Sequence, residues 1–260
     1  MSGPLCDLSG ALSLVALLSA CARAAAPAPA ASDPAAPAPG APAPAAATPP
    51  IVVPFGTAPK VDGKVEPDEW AAARQIDLGA GARVHLMHDG GHLYLAVSRV
   101  PAHGFGLACV FIAEADGVHV LHASAQLGSA IYLPASGDRF DPRSKEYAWK
   151  PAATILREEG WMASTVGEGS DGSAQEFAIA LERLALAPDA TTTSAPIAVG
   201  YSYLNSDTDK DDKLMSGLLT WPADTGDAVA NIRLLGGWNP DQVGFAEERW
   251  ARLTLGRTDQ

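Results

Sequence analysis

Arg83 to Met87 and His92 to Arg99 flank Asp89-Gly90-Gly91, and in the second segment apolar and polar residues alternate with a period of two. Leu93, Leu95 and Val97 fall on one face, while His92, Tyr94 and Ser98 fall on the other. Only an extended strand sorts neighbouring residues to opposite faces in this way, and an Asp-Gly-Gly triplet is a strong hairpin signal. The segment therefore reads as two antiparallel strands. The same grammar continues downstream. Leu107 to Ala113 and Val118 to His122 flank Asp116-Gly117, and further strands are expected at Gly128 to Leu133, Trp161 to Val166, Gln175 to Leu181, Ile197 to Leu204 and Trp250 to Leu255. Many short strands separated by Gly and Asp turns are the pattern of two packed antiparallel sheets. The fold class is thus all-β, an antiparallel, jelly-roll-like β-sandwich with one or two short helices. One helix is predicted where Pro67 suits a first helical position and Asp68 and Glu69 suit the positive end of a helix dipole, carrying Trp70 inward.

The sandwich does not account for the whole chain. From Ala22 to Pro50, 15 of 29 residues are Ala and 9 are Pro. Such a segment has only methyl groups to bury and loses a backbone donor at each proline, so it reads as an extended, disordered tether reaching on the order of 90 Å. Before it, Leu12 to Ala20 is an apolar run too short for a membrane span, which needs roughly 20 residues, and reads as a signal-peptide core. Three units follow: a signal peptide at 1–20, a tether at 21–50, and one sandwich domain at 51–260.

Composition sets limits on partners. With 47% hydrophobic residues the chain is too apolar to be wholly disordered. Its 30 acidic against 18 basic residues give a net charge of −12, which repels a phosphate backbone and excludes nucleic acid as a partner. Three cysteines are too few for a disulfide scaffold. Cys6 falls in the signal peptide, and Cys109 lies in the apolar run Leu107-Ala-Cys-Val-Phe-Ile-Ala113, which marks it as a packed thiol.

Two resemblances add to this reading. Leu18-Ser19-Ala20-Cys21 resembles the bacterial lipobox, which implies a lipoprotein lipidated at Cys21 and held at the bacterial cell envelope, on the outer membrane or cell surface, by its lipid anchor alone. The stretch before Leu12 departs from the usual pattern, since it holds Asp7 and no Lys or Arg. Val61-Asp-Gly-Lys, Asp68-Glu-Trp70 and Val84 to Val97 together resemble the opening of the family 9 carbohydrate-binding modules and the wider DOMON-like superfamily. Gln175-Glu-Phe-Ala-Ile-Ala-Leu181 resembles a later strand of that family, and Ile197 to Leu204 with Thr220-Trp-Pro222 resembles its closing third. The resemblance implies a β-sandwich that grips sugars between aromatic rings, often with structural calcium, or a relative that carries haem for electron transfer.

Sugar recognition calls for flat apolar faces beside polar groups. Tyr147, Trp149, Trp221 and Trp238 lie in surroundings that read as loops and are the stacking candidates; Trp161 and Trp250 begin strands and read as core. For calcium, Asp207, Asp209 and Asp211 offer alternate carboxylates, although the EF-hand glycine is absent, and a solvated hairpin tip is the competing reading. His88 and His92 bracket the first hairpin and are expected to lie opposite one another, as a metal-binding pair would. Haem would use Met87 with a histidine. No Gly-x-Ser-x-Gly, His-Glu-x-x-His or Walker pattern is present, so no enzyme is expected. The function expected is non-catalytic binding of a carbohydrate or cell-envelope glycan. The alternatives are a haem-bearing redox module and a structural adaptor that meets another protein.

Overall fold

The computed structural model describes residues 49–99, 105–124, 127–134, 139–146, 152–164, 174–187, 193–208, 214–223, 225 and 243–256, all within a unit spanning 46–260. In chain order the strands are β1 (Ile51–Val53), β2 (Arg74–Gly79), β3 (Ala82–His88), β4 (His92–Arg99), β5 (Phe105–Glu114), β6 (Gly117–Ala123) and β7 (Leu127–Pro134). They continue with β8 (Arg139–Glu146), β9 (Trp161–Ala163), β10 (Ala174–Ala180), β11 (Ile197–Thr208), β12 (Leu214–Trp221), β13 (Val243–Gly244) and β14 (Leu253–Leu255). One α-helix, α1 (Ala152–Glu159), precedes β9, and short 3₁₀ turns occupy Leu181–Leu184 and Glu247–Arg249. Among the described residues no helix is long and apolar enough to cross a membrane.

Two antiparallel sheets face each other. One runs β2-β3-β4-β10-β9, and the other runs β12-β11-β5-β6-β7-β8-β13. The inward face of the first carries Val84, Leu86, Leu93, Leu95, Val97, Phe177 and Ile179, and these pack in one core with Val110, Ile112, Leu121 and Val199 of the second. The period-two alternation creates this core, because every second residue is apolar on the side that meets the other sheet. A parallel pair, β1 with β14, adds Val53 and Leu253 to the same core.

The outer faces are covered in part as well. Phe245 and Trp250 pack on Phe111, Val120 and Tyr132 of the seven-stranded sheet. On the five-stranded sheet a strap from Pro54 to Ala73 lays Val61, Val65 and Trp70 over Met87, Tyr94, Ala96 and Ala178. The face of His92, Tyr94 and Ser98 is therefore a second buried layer in part, and the polar periodicity there does not mark solvent. The strap has no helix over Pro67 to Arg74. The chain makes one turn, with Trp70 N–H donating to Glu66 O at 3.1 Å and Ala73 N–H to Trp70 O at 3.0 Å, before Arg74 enters β2. The tryptophan still points inward, as expected.

Glu176 fixes the strap. It lies on the outer face of β10 and is 0% exposed. Its Oε2 accepts the backbone N–H groups of Asp62 at 2.9 Å and Gly63 at 2.7 Å, and its Oε1 accepts Trp70 Nε1–H at 3.0 Å. Both oxygens are thus taken by the two ends of the Val61-Asp-Gly to Trp70 segment. Burial dominates and pushes the carboxyl pKa from 4.5 up to about 7, against the three donors. A raised folded-state value means that the native protein holds a proton that the unfolded chain releases as pH rises between those limits. Stability is therefore expected to fall by about 3 kcal/mol as pH rises through 4.5 to 7. Urea midpoints at pH 5 and pH 8 measure this, and Glu176→Gln should flatten the difference. Glu176→Ala, which strands the buried Gly63 N–H and Trp70 Nε1–H, is expected to cost about 3 kcal/mol at pH 5.

Candidate functional site

The inner face of the large sheet changes character toward the β5–β6 turn. Val110 and Ile112 are core residues, and the next inward position is Glu114; Leu121 is core, and the next is His119; Leu127 is followed by Ser129 and Ile131. These side chains form one wall of an open cleft of about 960 Å³, whose other wall is the end of α1, Gly160 and the Leu181–Leu184 turn. Such a volume is in the range of small-ligand sites.

Arg183 organises the cleft. Its Nη1 donates to the Glu159 carbonyl at 2.6 Å, at the end of α1, where a cation offsets the helix dipole. Its Nη2 lies 3.2 Å from His119 Nδ1 and 3.6 Å from Glu114 Oε1. Gly160 makes room for it: with φ +69° it ends the helix in the left-handed region, and a Cβ there would meet the Arg183 stem at 3.3 Å. On the same side the Glu159 carboxylate accepts Ser129 Oγ–H and Trp161 Nε1–H, both at 3.0 Å. Glu158, by contrast, is exposed and faces Arg157, so the two neighbouring acids diverge.

Glu114, Asp116 and His119 bring three potential metal-binding atoms within 4.8 Å of one another. The hydrogen bonds do not suit an ion. A guanidinium only donates, so His119 Nδ1 is the acceptor for Arg183, and the ring proton then sits on Nε2, 3.0 Å from Asp116 Oδ1. No ring lone pair remains for a metal. The cluster instead presents carboxylate acceptors and guanidinium and imidazole donors in fixed positions, with Leu156 and Ile131 as apolar surface between them. Such a set can donate to and accept from hydroxyl groups. Within it the Ser129 hydroxyl donates to the Glu159 carboxylate at 3.0 Å, which fixes both groups.

The residues expected from the sequence are placed differently. Trp221 ends β12, is 7% exposed and packs in the core between the sheets, so it offers no stacking face. The reason is register: Trp221 pairs with Val199, whose side chain points inward, and takes the same orientation. The other described tryptophans, Trp70, Trp161 and Trp250, are also buried. His88 and His92 are not opposite one another. His88 pairs with Leu93, and the turn is the two-residue Gly90-Gly91 with φ +92° at Gly90, so the two imidazoles leave opposite faces of the sheet. His88 is buried against Gly256 O at 3.1 Å, whereas the His92 side chain is 33% exposed at the cleft. They cannot share a metal. Met87 is buried, and its Sδ is 3.1 Å from where a Gly56 Cβ would stand, which leaves no face for a porphyrin. Asp207 lies on β11, and its side chain is outside the described residues, as are Cys21, Tyr147, Trp149, Trp238, Asp209 and Asp211. Cys109 is a buried thiol, as expected, with its pKa pushed up to about 12 by burial.

Glu114, His119 and Arg183 were not picked out by sequence motif. The available signal was a break in alternation, since Glu114 and His119 sit at inward positions that their strands otherwise fill with apolar residues.

No protein-family model and no curated protein sequence matches the chain. Among solved structures, the fold is similar to a family 9 carbohydrate-binding module from Caldicellulosiruptor kristjanssonii in complex with cellotriose. The match has 16% identity and a TM-score of 0.42 over 80% of this chain and 95% of that one.

The burial of Trp221 has a direct consequence. Trp221→Ala is expected to destabilise the domain by about 3–5 kcal/mol in chemical denaturation, through loss of core volume.

Proposed function

We propose that the domain is a non-catalytic carbohydrate-binding module, and that the cleft between β6, β7 and α1 holds the glycan. The observation that carries this reading is the cleft's arrangement. Charged donors and acceptors are held by Arg183 and Glu159 before any ligand arrives, and apolar patches from Leu156 and Ile131 lie between them. Preorganised polar groups bind hydroxyls without paying to order themselves on contact. The sequence resemblance of Val61 to Val97 and Gln175 to Leu181 to carbohydrate-binding modules supports the same class of ligand. In this reading, Cys21 carries a lipid and the Ala/Pro segment tethers the module to the cell envelope.

A glycan array probed with the full chain tests the proposal. Binding of at least one glycan is expected, with the bound glycan recovered unshortened. Glu182, an exposed carboxylate on the cleft wall with no internal partner among the described residues, provides the matched variant. Glu182→Ala should weaken the array hit about ten-fold by calorimetry without moving the melting temperature, while Glu248→Ala, far along the chain on an exposed turn, should leave it unchanged. Absence of any glycan hit, or shortening of the glycan, would contradict the proposal.

A further inference from the structure

A second cavity lies on the outer face of the five-stranded sheet, away from the cleft. Strand pairing sets four residues in a row across that face: Gln75 beside His85, His85 beside Ala96, and Ala96 beside Glu176. The next row holds Asp77, Arg83, Ser98 and Ala174. The small side chain of Ala96 leaves space that Trp70 fills, so that Trp70 reaches Glu176 with its Nε1 on one side and stands edge-on to His85 at 5.9 Å on the other. The strap stops there. Beyond Trp70 the sheet is open, and a cavity of about 760 Å³ remains between Val65 and Pro67 of the strap and the β2–β3 hairpin.

His85 lies in this cavity's lining and is the observation that needs explaining. It is 5% exposed, its Nε2 makes a 2.7 Å hydrogen bond with Ser98 Oγ, and its Nδ1 is buried with no protein partner. An unpaired buried ring nitrogen is costly, and most such groups have a partner. We propose that this cavity is a second ligand site, in which His85 Nδ1 binds a hydroxyl of a neutral polyol or single sugar ring.

The chemistry follows from the ring's surroundings. Burial, with Arg83 nearby, pulls the His85 pKa down to about 4, so the imidazole is neutral at physiological pH. A serine hydroxyl can donate to Nε2 or accept from it, so Nδ1 is either a bare acceptor or an N–H donor. A hydroxyl satisfies both tautomers, because it too donates and accepts. A carboxylate or ammonium would satisfy one only. At the mouth, Asp77 and Arg83 oppose each other in charge across paired strands, and Arg83 Nη1 donates to Gln75 Oε1 at 3.1 Å, so the entrance favours no ion of either sign. Val65 and Pro67 supply the apolar wall on which the carbon face of a ring can rest. None of these residues belongs to the cleft.

The test follows the imidazole nitrogens of His85 by long-range ¹H–¹⁵N correlation NMR on the full chain during titration with methyl β-D-glucopyranoside and with sorbitol. A saturable shift of Nδ1 with at least one probe is expected. His85→Phe, which keeps the ring edge against Trp70, should weaken that binding about ten-fold, read by backbone shifts of β2 and β3. Should His85→Phe fail to fold, Asp77→Trp on the exposed edge strand keeps His85 and fills the mouth, and it should abolish the Nδ1 shift. Glu182→Ala should leave the shift intact, which separates this site from the cleft. No Nδ1 shift up to the solubility limit of either probe would overturn the proposal. Binding undiminished in His85→Phe or Asp77→Trp would overturn it as well.

Discussion

The buried carboxylate of Glu176 is the interaction on which the rest of the structure depends. A strap that crosses the outside of a sheet has no ladder hydrogen bonds to hold it, and its own backbone donors need partners once buried. Glu176 supplies acceptors for two of those donors and for the Trp70 indole, and so joins residues separated by more than 100 positions in the chain. With Trp70 placed, Ala96 and Met87 are covered, the His85 ring gains a neighbour, and the open part of the face becomes a cavity with a defined edge. The cost is a buried acid whose ionisation opposes folding near neutral pH.

The sandwich was largely legible because strand alternation is dictated by which side meets the other sheet. His92 to Arg99 was placed to the residue, and Leu93, Leu95 and Val97 are core as the pattern requires. What escaped were elements without alternation. The strand β2 follows the strap without a break in composition, and α1 and β12 carry no cap or turn signal strong enough to announce them. The turn over Pro67 to Arg74 shows a local preference overruled, since a favourable helix start gives way where the chain must enter β2 after one turn. The strap also explains why the polar side of β4 is not surface, because periodicity reports two faces and cannot report what covers either.

The candidate site was less legible, for a different reason. Reading from the sequence favoured tryptophans, which stack on sugars when exposed, but Trp221 is placed by β-ladder register in the core. It also set His88 opposite His92 by counting three turn residues, where the pairing counts two and turns the rings apart. The cleft residues Glu114, His119, Ser129 and Arg183 come from four separate segments, and their proximity follows from sheet order β5-β6-β7 and from the turn after β10. No spacing rule links them. A charged residue at an inward position of an apolar strand is nevertheless a readable sign, and both Glu114 and His119 carry it.

Together these features describe a scaffold whose described tryptophans are all buried in packing, beside a hydrogen-bonded polar cleft that we propose holds the glycan. Hydrogen–deuterium exchange of the full chain, with and without the glycan selected on the array, tests that division most directly. The expected result is added protection confined to β6, β7, the end of α1 and the Leu181–Leu184 turn. Protection concentrated in residues 226–242, the segment that contains Trp238, with the cleft unchanged, would contradict it.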